Sequence, residues 1–151
     1  MLRVENVNGD ITDCTAGVLI NGVNCQSKMG SGVALAYMKK WPKVKEQYLQ
    51  SLQILGNCGL VCIEHDRLYV ANCFTQEFYG YDGNRYANVE AIEEALETAY
   101  IFAQDKGLSI KTPLLASDRG GLDWETEVLP IFERLAEKFE VQTFVFRLHL
   151  R

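Results

Sequence analysis

Apolar and polar positions along the chain switch repeatedly between a short period and a helical one. Met1–Val7 reads as a strand broken at Asn8-Gly9-Asp10, and Ala16–Val23 is a mostly apolar run of buried-strand length. Met29-Gly30-Ser31-Gly32 opens a helix through about Lys40, which Trp41-Pro42 stops because a residue before proline disfavours helical dihedrals. A second helix follows from Lys43 to about Leu55, with Val44, Tyr48 and Leu52 on one face. Gly59–Glu64 and Leu68–Phe74 read as strands around the polar turn His65-Asp66-Arg67, and Thr75–Arg85 as a loop rich in aromatics and glycine. Asn88–Lys106 is the clearest helix: Val89, Ile92, Leu96, Ala99 and Ala103 recur at three and four, and Gly107 ends it. Ser109–Leu115 reads as a strand and Ala116–Leu122 as a glycine-containing loop. Asp123 caps a helix to about Lys138, with Val128, Ile131, Leu135 and Phe139 inward, and Val141–Leu148 is a last strand, apolar enough to be central.

Strands alternating with helices of these lengths imply an α/β sheet covered on both faces. There is no repeat, low-complexity tract or linker, so residues 1–151 read as one domain. Ligands of such sheets bind beyond the carboxyl ends of the strands. Two loops are expected there, Asn24–Gly32 and Ala116–Asp123.

Charge narrows the range of functions. The formal net charge is −5, unevenly spread. Residues 1–60 hold Arg3, Lys28, Lys39, Lys40, Lys43 and Lys45 against Glu5, Asp10, Asp13 and Glu46, a balance of +2 that leaves −7 for the remainder. The Lys39–Lys45 cluster reads either as a solvated helix end or as mild steering of an anionic ligand. An acidic chain has no general affinity for phosphate backbones, so stable nucleic-acid binding is not expected. No stretch approaches the roughly 18–20 apolar residues of a membrane span, and no apolar run of signal-peptide type opens the chain. A cytoplasmic monomer without membrane contact is the expectation. The five cysteines show no framework spacing, which suits a reducing compartment. Cys58, Cys62 and His65 lack the paired ligands of a zinc site, and none of the cysteines has an arginine six positions on, as a cysteine-dependent phosphatase loop requires. Neither a metal nor a cofactor is expected.

The two loops carry the chemistry. Glycines just before a helix let backbone N–H groups converge on an anion, aided by the positive end of the helix. Gly30-Ser31-Gly32 is neither a Walker loop nor a full dinucleotide fingerprint, and a tight turn also accounts for it. Ser117-Asp118-Arg119-Gly120-Gly121-Leu122 repeats the arrangement before another helix, so the two loops together could grip a diphosphate from two sides.

Gly9-Asp10-Ile11, Asn24 with Gly30-Ser31-Gly32-Val33-Ala34 ahead of a helix, and Gly120-Gly121-Leu122-Asp123-Trp124 before the last helix together resemble the macrodomain. The resemblance runs in order from Val4 to about Leu148. It is closest to the branch of ADP-ribose-1″-phosphate phosphatases, terminal ADP-ribose glycohydrolases and DNA ADP-ribosyl glycohydrolases of toxin–antitoxin pairs. Asn24-Cys25, Trp41-Pro42 and Asn72-Cys73-Phe74-Thr75 are typical of that branch. The resemblance implies a three-layer α/β/α sandwich around a mixed, mostly parallel sheet, and an ADP-ribose site.

By that resemblance, Asp10 beside Gly9 would accept from the adenine amino group, or else only cap its own turn. Ile11 would pack beside the base, and Phe146 would lie on its face near Leu148, or else be an inward core residue. Gly30, Ser31, Gly32 and Val33, with Ser117, Arg119, Gly120, Gly121 and Leu122, would hold the pyrophosphate and distal ribose. Asn24, next to Cys25, would bond the distal ribose hydroxyls, or else secure its own loop. Two departures stand out. Glycohydrolases of the branch place a lysine after the Phe-Thr-like segment, whereas Thr75 here is followed by Gln76, an amide that cannot form a Schiff base. A Gly-Cys-Gly stretch of relatives is replaced by Ala116-Ser117-Asp118. Asp118 could orient a water or act as base, or else pair with Arg119 in solvent, and Asp123 could act as base or cap the last helix. The expected activity is hydrolysis of the phosphomonoester of ADP-ribose-1″-phosphate, with Asn24, Asp118 and Asp123 as candidate catalytic groups. The alternatives are ADP-ribosyl glycohydrolysis of protein or nucleic acid, and a reader that binds ADP-ribose without catalysis.

Overall fold

The computed structural model describes residues 3–29, 32–77, 87–117 and 121–148. Met1, Gly30, Ser31, Arg85, Asp118, Arg119 and Gly120, all used in the sequence reading, lie outside the described residues. Six strands form one sheet: β1 (Val4–Asn8), β2 (Gly17–Asn24), β3 (Cys58–Glu64), β4 (Leu68–Gln76), β5 (Ile110–Thr112) and β6 (Thr143–Arg147). Their order is β1-β6-β5-β2-β4-β3. Among these strands all pairings are parallel except the β3–β4 hairpin, and beyond them Gln76 forms an isolated antiparallel bridge with Ala87. The helices are α1 (Gly32–Lys40), α2 (Lys43–Gln50), α3 (Val89–Lys106) and α4 (Leu129–Phe139).

Alternation along β2 divides the core. Val18 and Ile20 face Ile92, Leu96, Ala99 and Phe132 of α3 and α4, while Leu19 and Val23 face Tyr37, Val44 and Tyr48 of α1 and α2. Helices therefore cover both faces in a three-layer α/β/α sandwich, as the alternation of elements implies. The last strand is interior, flanked by β1 and β5. Asn88 caps α3 by accepting from the Ala91 amide at 2.9 Å, and Gly107 closes it in the left-handed conformation at φ 69°.

Several boundaries differ from the sequence reading, each for a local reason. The second helix ends at Gln50, not near Leu55: the Ser51 hydroxyl donates back to the Gln47 carbonyl at 2.9 Å and accepts from Gln47 Nε2 at 2.7 Å. Such side-chain bonds compete with helix continuation. Leu52, expected inward, is 72% exposed. β5 is only three residues long, because Pro113 has no N–H for the ladder and Leu115 turns back to the Pro113 carbonyl at 2.8 Å. β4 runs on through Thr75 and Gln76, which the sequence reading gave to a loop. The helix expected from Asp123 onward opens instead as a π segment, Trp124–Val128. Pro130, in the first turn of α4, offers no N–H to continue a regular α pattern through this point.

A buried polar network fastens α2 to the sheet. Asn72 on β4 donates to the Val44 carbonyl at 3.0 Å and to Gln47 Oε1 at 2.8 Å, and accepts from Asn21 Nδ2 of β2 at 2.8 Å. Truncating it strands three partners at once, two of them on the buried residues Val44 and Asn21. Asn72→Ala is expected to cost about 2–3 kcal/mol, read as a lowered urea midpoint with an unchanged slope.

Candidate ligand site at the carboxyl edge

The carboxyl ends of β1, β6, β5, β2 and β4 share one edge of the sheet, because these strands are parallel. Neighbouring strands β2 and β5 lead to opposite faces: β2 to α1, packed with Leu19 and Val23, and β5 to α4, packed with Val18 and Ile20. That divergence is a topological switch point, where open α/β sheets leave a crevice. The two sequence-identified loops leave from this pair of strands. A Cβ on Gly22 of β2 would come within 2.7 Å of Leu115 Cδ1, so the Leu115 side chain at the base of the late loop packs directly over this glycine.

At one end of the edge, β1 exits through Gly9, whose amide donates to the Arg147 carbonyl at 2.9 Å. Asp10 then caps a single 3-10 turn, Ile11–Asp13. Its Oδ1 accepts from the Thr12 amide at 2.9 Å and the Thr12 hydroxyl at 2.7 Å, while among the described residues Oδ2 takes no hydrogen bond. Lys40 at the end of α1 donates to the Thr12 carbonyl and so holds this turn from the far side. Ile11 is buried, and Phe146 packs against the same apolar cluster. A Cβ on Gly9 would lie 3.9 Å from the Phe146 ring. Gly9, Asp10, Ile11 and Phe146 are thus brought together, with Asp10 both capping its turn and exposed. Leu148, two residues beyond Phe146, is 61% exposed.

The loop after β2 is built around Asn24. Its Oδ1 accepts from the Gln26 amide at 3.0 Å, the Lys28 amide at 3.4 Å and the Tyr48 hydroxyl at 2.8 Å, and its Nδ2 donates to the Lys28 carbonyl at 2.9 Å. The Tyr48 hydroxyl also contacts the Asn24 carbonyl at 2.7 Å. Burial pushes this phenol up to about 12, so it keeps its proton at neutral pH. Of the two roles open to Asn24, the structure displays the loop-securing one. Ser27, at φ 60°, is held by Gln53, which accepts from its amide and donates to its hydroxyl. Gly32 opens α1 at φ 61° with nothing within 4 Å of where a Cβ would stand, and Val33 packs into the α1/α2 core.

The late loop uses its described amides internally. Ser117 N donates to the Leu114 carbonyl at 3.3 Å and Leu122 N to the Ala116 carbonyl at 3.1 Å. Leu122 is buried in the α3/α4 core. The expectation that Ser117 and Leu122 offer amides to a ligand is therefore not met in this conformation. Gly121 stands in the left-handed region at φ 77°. Asp123 Oδ2 accepts from the Thr126 amide at 3.0 Å and hydroxyl at 2.6 Å, the capping duty rather than a free base. Beside it, Trp124 Nε1 is buried and unpartnered among the described residues.

Sequence reasoning stopped at Gln76 and missed Glu77. Cys25 N reaches both the Gln76 and Glu77 carbonyls, at 3.1 and 3.2 Å, so Glu77 lies against the Asn24 loop. Cys25, Gln26, Gln53, Ile54, Leu55 and Glu77 line a cavity of about 520 Å³. Burial, and secondarily the negative Glu77, pushes the Cys25 thiol above its ordinary value. The signal for Glu77 was a titratable carboxylate two residues past the Phe-Thr segment. His65 lies on the β3–β4 turn, at the opposite edge of the sheet. Among the described residues no three His, Cys, Asp or Glu side chains gather as a metal centre, and no helix is long and apolar enough to cross a membrane.

The fold is that of a macrodomain. The chain superposes on the macrodomain of Mycobacterium tuberculosis DarG with a TM-score of 0.80, at 20% identity, over 97% of this chain and 98% of that one. It matches the structure of Thermosipho africanus DarTG in complex with ADP-ribose equally well, at TM-score 0.80 and 20% identity, over 99% of this chain and 42% of that one. Among curated proteins, Polyprotein P1234 of Aura virus is 28% identical over 121 residues, which is 76% of this chain but 4% of the polyprotein. No family model matches.

Two predictions follow from these geometries. Tyr48→Phe removes the hydroxyl shared by both Asn24 oxygens and is expected to cost about 1–2 kcal/mol. The loss should show as faster hydrogen exchange at the Gln26 and Lys28 amides, with α3 unchanged. Bonds from Thr12 hold Asp10, and bonds from Thr126 hold Asp123, below the ordinary carboxylate value of 3.8. A lowered folded value means stability that is present above 3.8 and lost as pH falls through the folded value. Asp123→Asn should therefore flatten the acid limb of the stability–pH curve below about pH 4.

Proposed function

We propose that this chain binds ADP-ribose along the carboxyl edge and hydrolyses the phosphomonoester of ADP-ribose-1″-phosphate. The observation that carries the binding is the grouping of Asp10, Ile11 and Phe146 on the sheet face from which α1 departs, together with the absence of any described atom within 4 Å of where a Cβ on Gly32 would stand. An exposed carboxylate with one oxygen unbonded suits an exocyclic N–H₂, and a half-buried aromatic ring suits a base face. The start of α1 offers amides and a positive dipole end to a pyrophosphate. The distal ribose would then lie toward Cys25 and Glu77. Hydrolysis directs water at the terminal phosphorus, forming a new P–O bond while the anomeric oxygen leaves with a proton. Charge stabilisation by oriented amides supplies most of the effect, and Asp118 is the base to test first.

A second reading, a reader that binds without catalysis, is supported by the engagement of the Asn24 and Asp123 side chains in building their own loops. Glycohydrolase chemistry through a lysine nucleophile is disfavoured by Gln76.

Calorimetry with ADP-ribose tests the shared premise, since absence of binding rejects both readings. Asp10→Asn preserves the cap and removes the charged acceptor. It should weaken ADP-ribose about tenfold and abolish the preference for adenine over hypoxanthine in the ligand. Phosphate release from ADP-ribose-1″-phosphate, lost in Asp118→Asn with binding intact, establishes the phosphatase. Binding without release establishes the reader.

A further inference from the structure

The β3–β4 hairpin sets two cysteines directly opposite each other. Its register pairs Cys58 with Cys73, and their sulfurs are 4.0 Å apart, with the Cys73 thiol donating to Cys58. Phe74, the next residue on β4, donates to the Asn57 carbonyl and accepts from the Gly56 amide, both at 2.9 Å. The Cys58–Cys73 pair therefore falls at a non-hydrogen-bonded position, where antiparallel Cα atoms stand about 4.5 Å apart and side chains are closest. That spacing lies inside the Cα window of a disulfide. Cys73 is fully buried in the α3/α4 core, whereas Cys58 is only partly covered at the edge strand. Cys62, the exposed cysteine of the same strand, has Tyr69 opposite it.

We propose that Cys58 and Cys73 are a built oxidation site that peroxide closes into a cross-strand disulfide. The Cys58 thiolate attacks the O–O bond of hydrogen peroxide. An S–O bond forms, the O–O bond breaks, and hydroxide leaves and is protonated to water. The Cys73 sulfur then attacks the Cys58 sulfenic acid: the S–S bond forms, the S–O bond breaks, and the departing hydroxide takes the Cys73 proton as a second water. Two thiols lose two electrons and the peroxide is reduced to two waters. The adjacent Cys58 sulfur, and then burial, pushes the Cys73 thiol well above its ordinary value. Cys58 is accordingly the entry point and Cys73 the resolving group. The bridge closes the segment 58–73 and fastens edge strand β3, which has a single strand neighbour, to β4.

The test treats reduced, desalted protein with hydrogen peroxide. Titratable thiols in denaturant should fall from five to three, the intact mass should drop by two hydrogens, and peptide mapping should join Cys58 to Cys73. Tm should rise by about 6–12 °C, and dithiothreitol should reverse every change. Cys62→Ser should respond as the wild type does. Cys58→Ala and Cys73→Ala should not lose the two hydrogens, and if Cys73→Ala fails to fold, the partly exposed Cys58→Ala decides alone. Oxygen addition without a bridge, a bridge to another cysteine, or an unchanged Tm in the bridged protein would overturn the proposal.

Discussion

One buried hydroxyl orders the crevice edge. Tyr48 reaches from α2 to both the backbone and side-chain oxygens of Asn24, the last residue of β2. Asn24 in turn bonds Gln26 and Lys28 and so shapes the loop that leads into α1. The arrangement holds only because α2 is itself fixed to the sheet by Asn72, which carries the Val44 carbonyl and the Gln47 amide. A helix on the outer layer thus determines the shape of a loop at the sheet edge through two asparagines and a phenol, all buried. Buried polar groups are costly when unpaired, so this chain of partners tolerates little variation in geometry.

The second constraint is topological. Strands β2 and β5 are neighbours whose continuations pass to opposite faces, and the place where such sheets bind ligands follows from strand order alone. Local contacts then shape this edge. Gly22 removes the side chain that would collide with Leu115, and Lys40 ties the Asp10 turn back to α1. The turn capped by Asp10 is thereby tied to the carboxyl end of the helix whose start faces the same edge of the sheet.

Much of this architecture is legible in the residue pattern because it depends on short-range signals: the helical repeat of α3 between Asn88 and Gly107, the β3–β4 turn, and the cap at Asp123. The resemblance of the glycine-bearing loops to macrodomains led to the fold that the superpositions bear out. What escaped depends on partners far apart in the chain. The early end of α2 is a contest between Ser51 and Gln47 that periodicity does not register. The occupation of Asn24 needs Tyr48, 24 positions away. Glu77 becomes notable only once Cys25 is seen to bond its carbonyl, and the Cys58–Cys73 pair only once the hairpin register is known.

The polar side chains with the greatest bonding capacity are largely spent on structure, and this shifts where recognition can reside. Asn24 and Asp123 each satisfy several donors of their own loops, so withdrawing either to serve a ligand would first leave backbone amides unpaired. In the proposed binding mode, affinity would then come from the second oxygen of Asp10, which takes no hydrogen bond among the described residues, from the Phe146 ring and from the start of α1. Chemistry at the distal end meets a further constraint in Glu77, the exposed carboxylate beside Cys25. A negative charge there opposes a terminal phosphate dianion unless oriented amides outweigh it, and leaves an uncharged ribose hydroxyl undisturbed. The balance between Glu77 and those amides is therefore the physical quantity that separates a phosphatase from a reader on this scaffold.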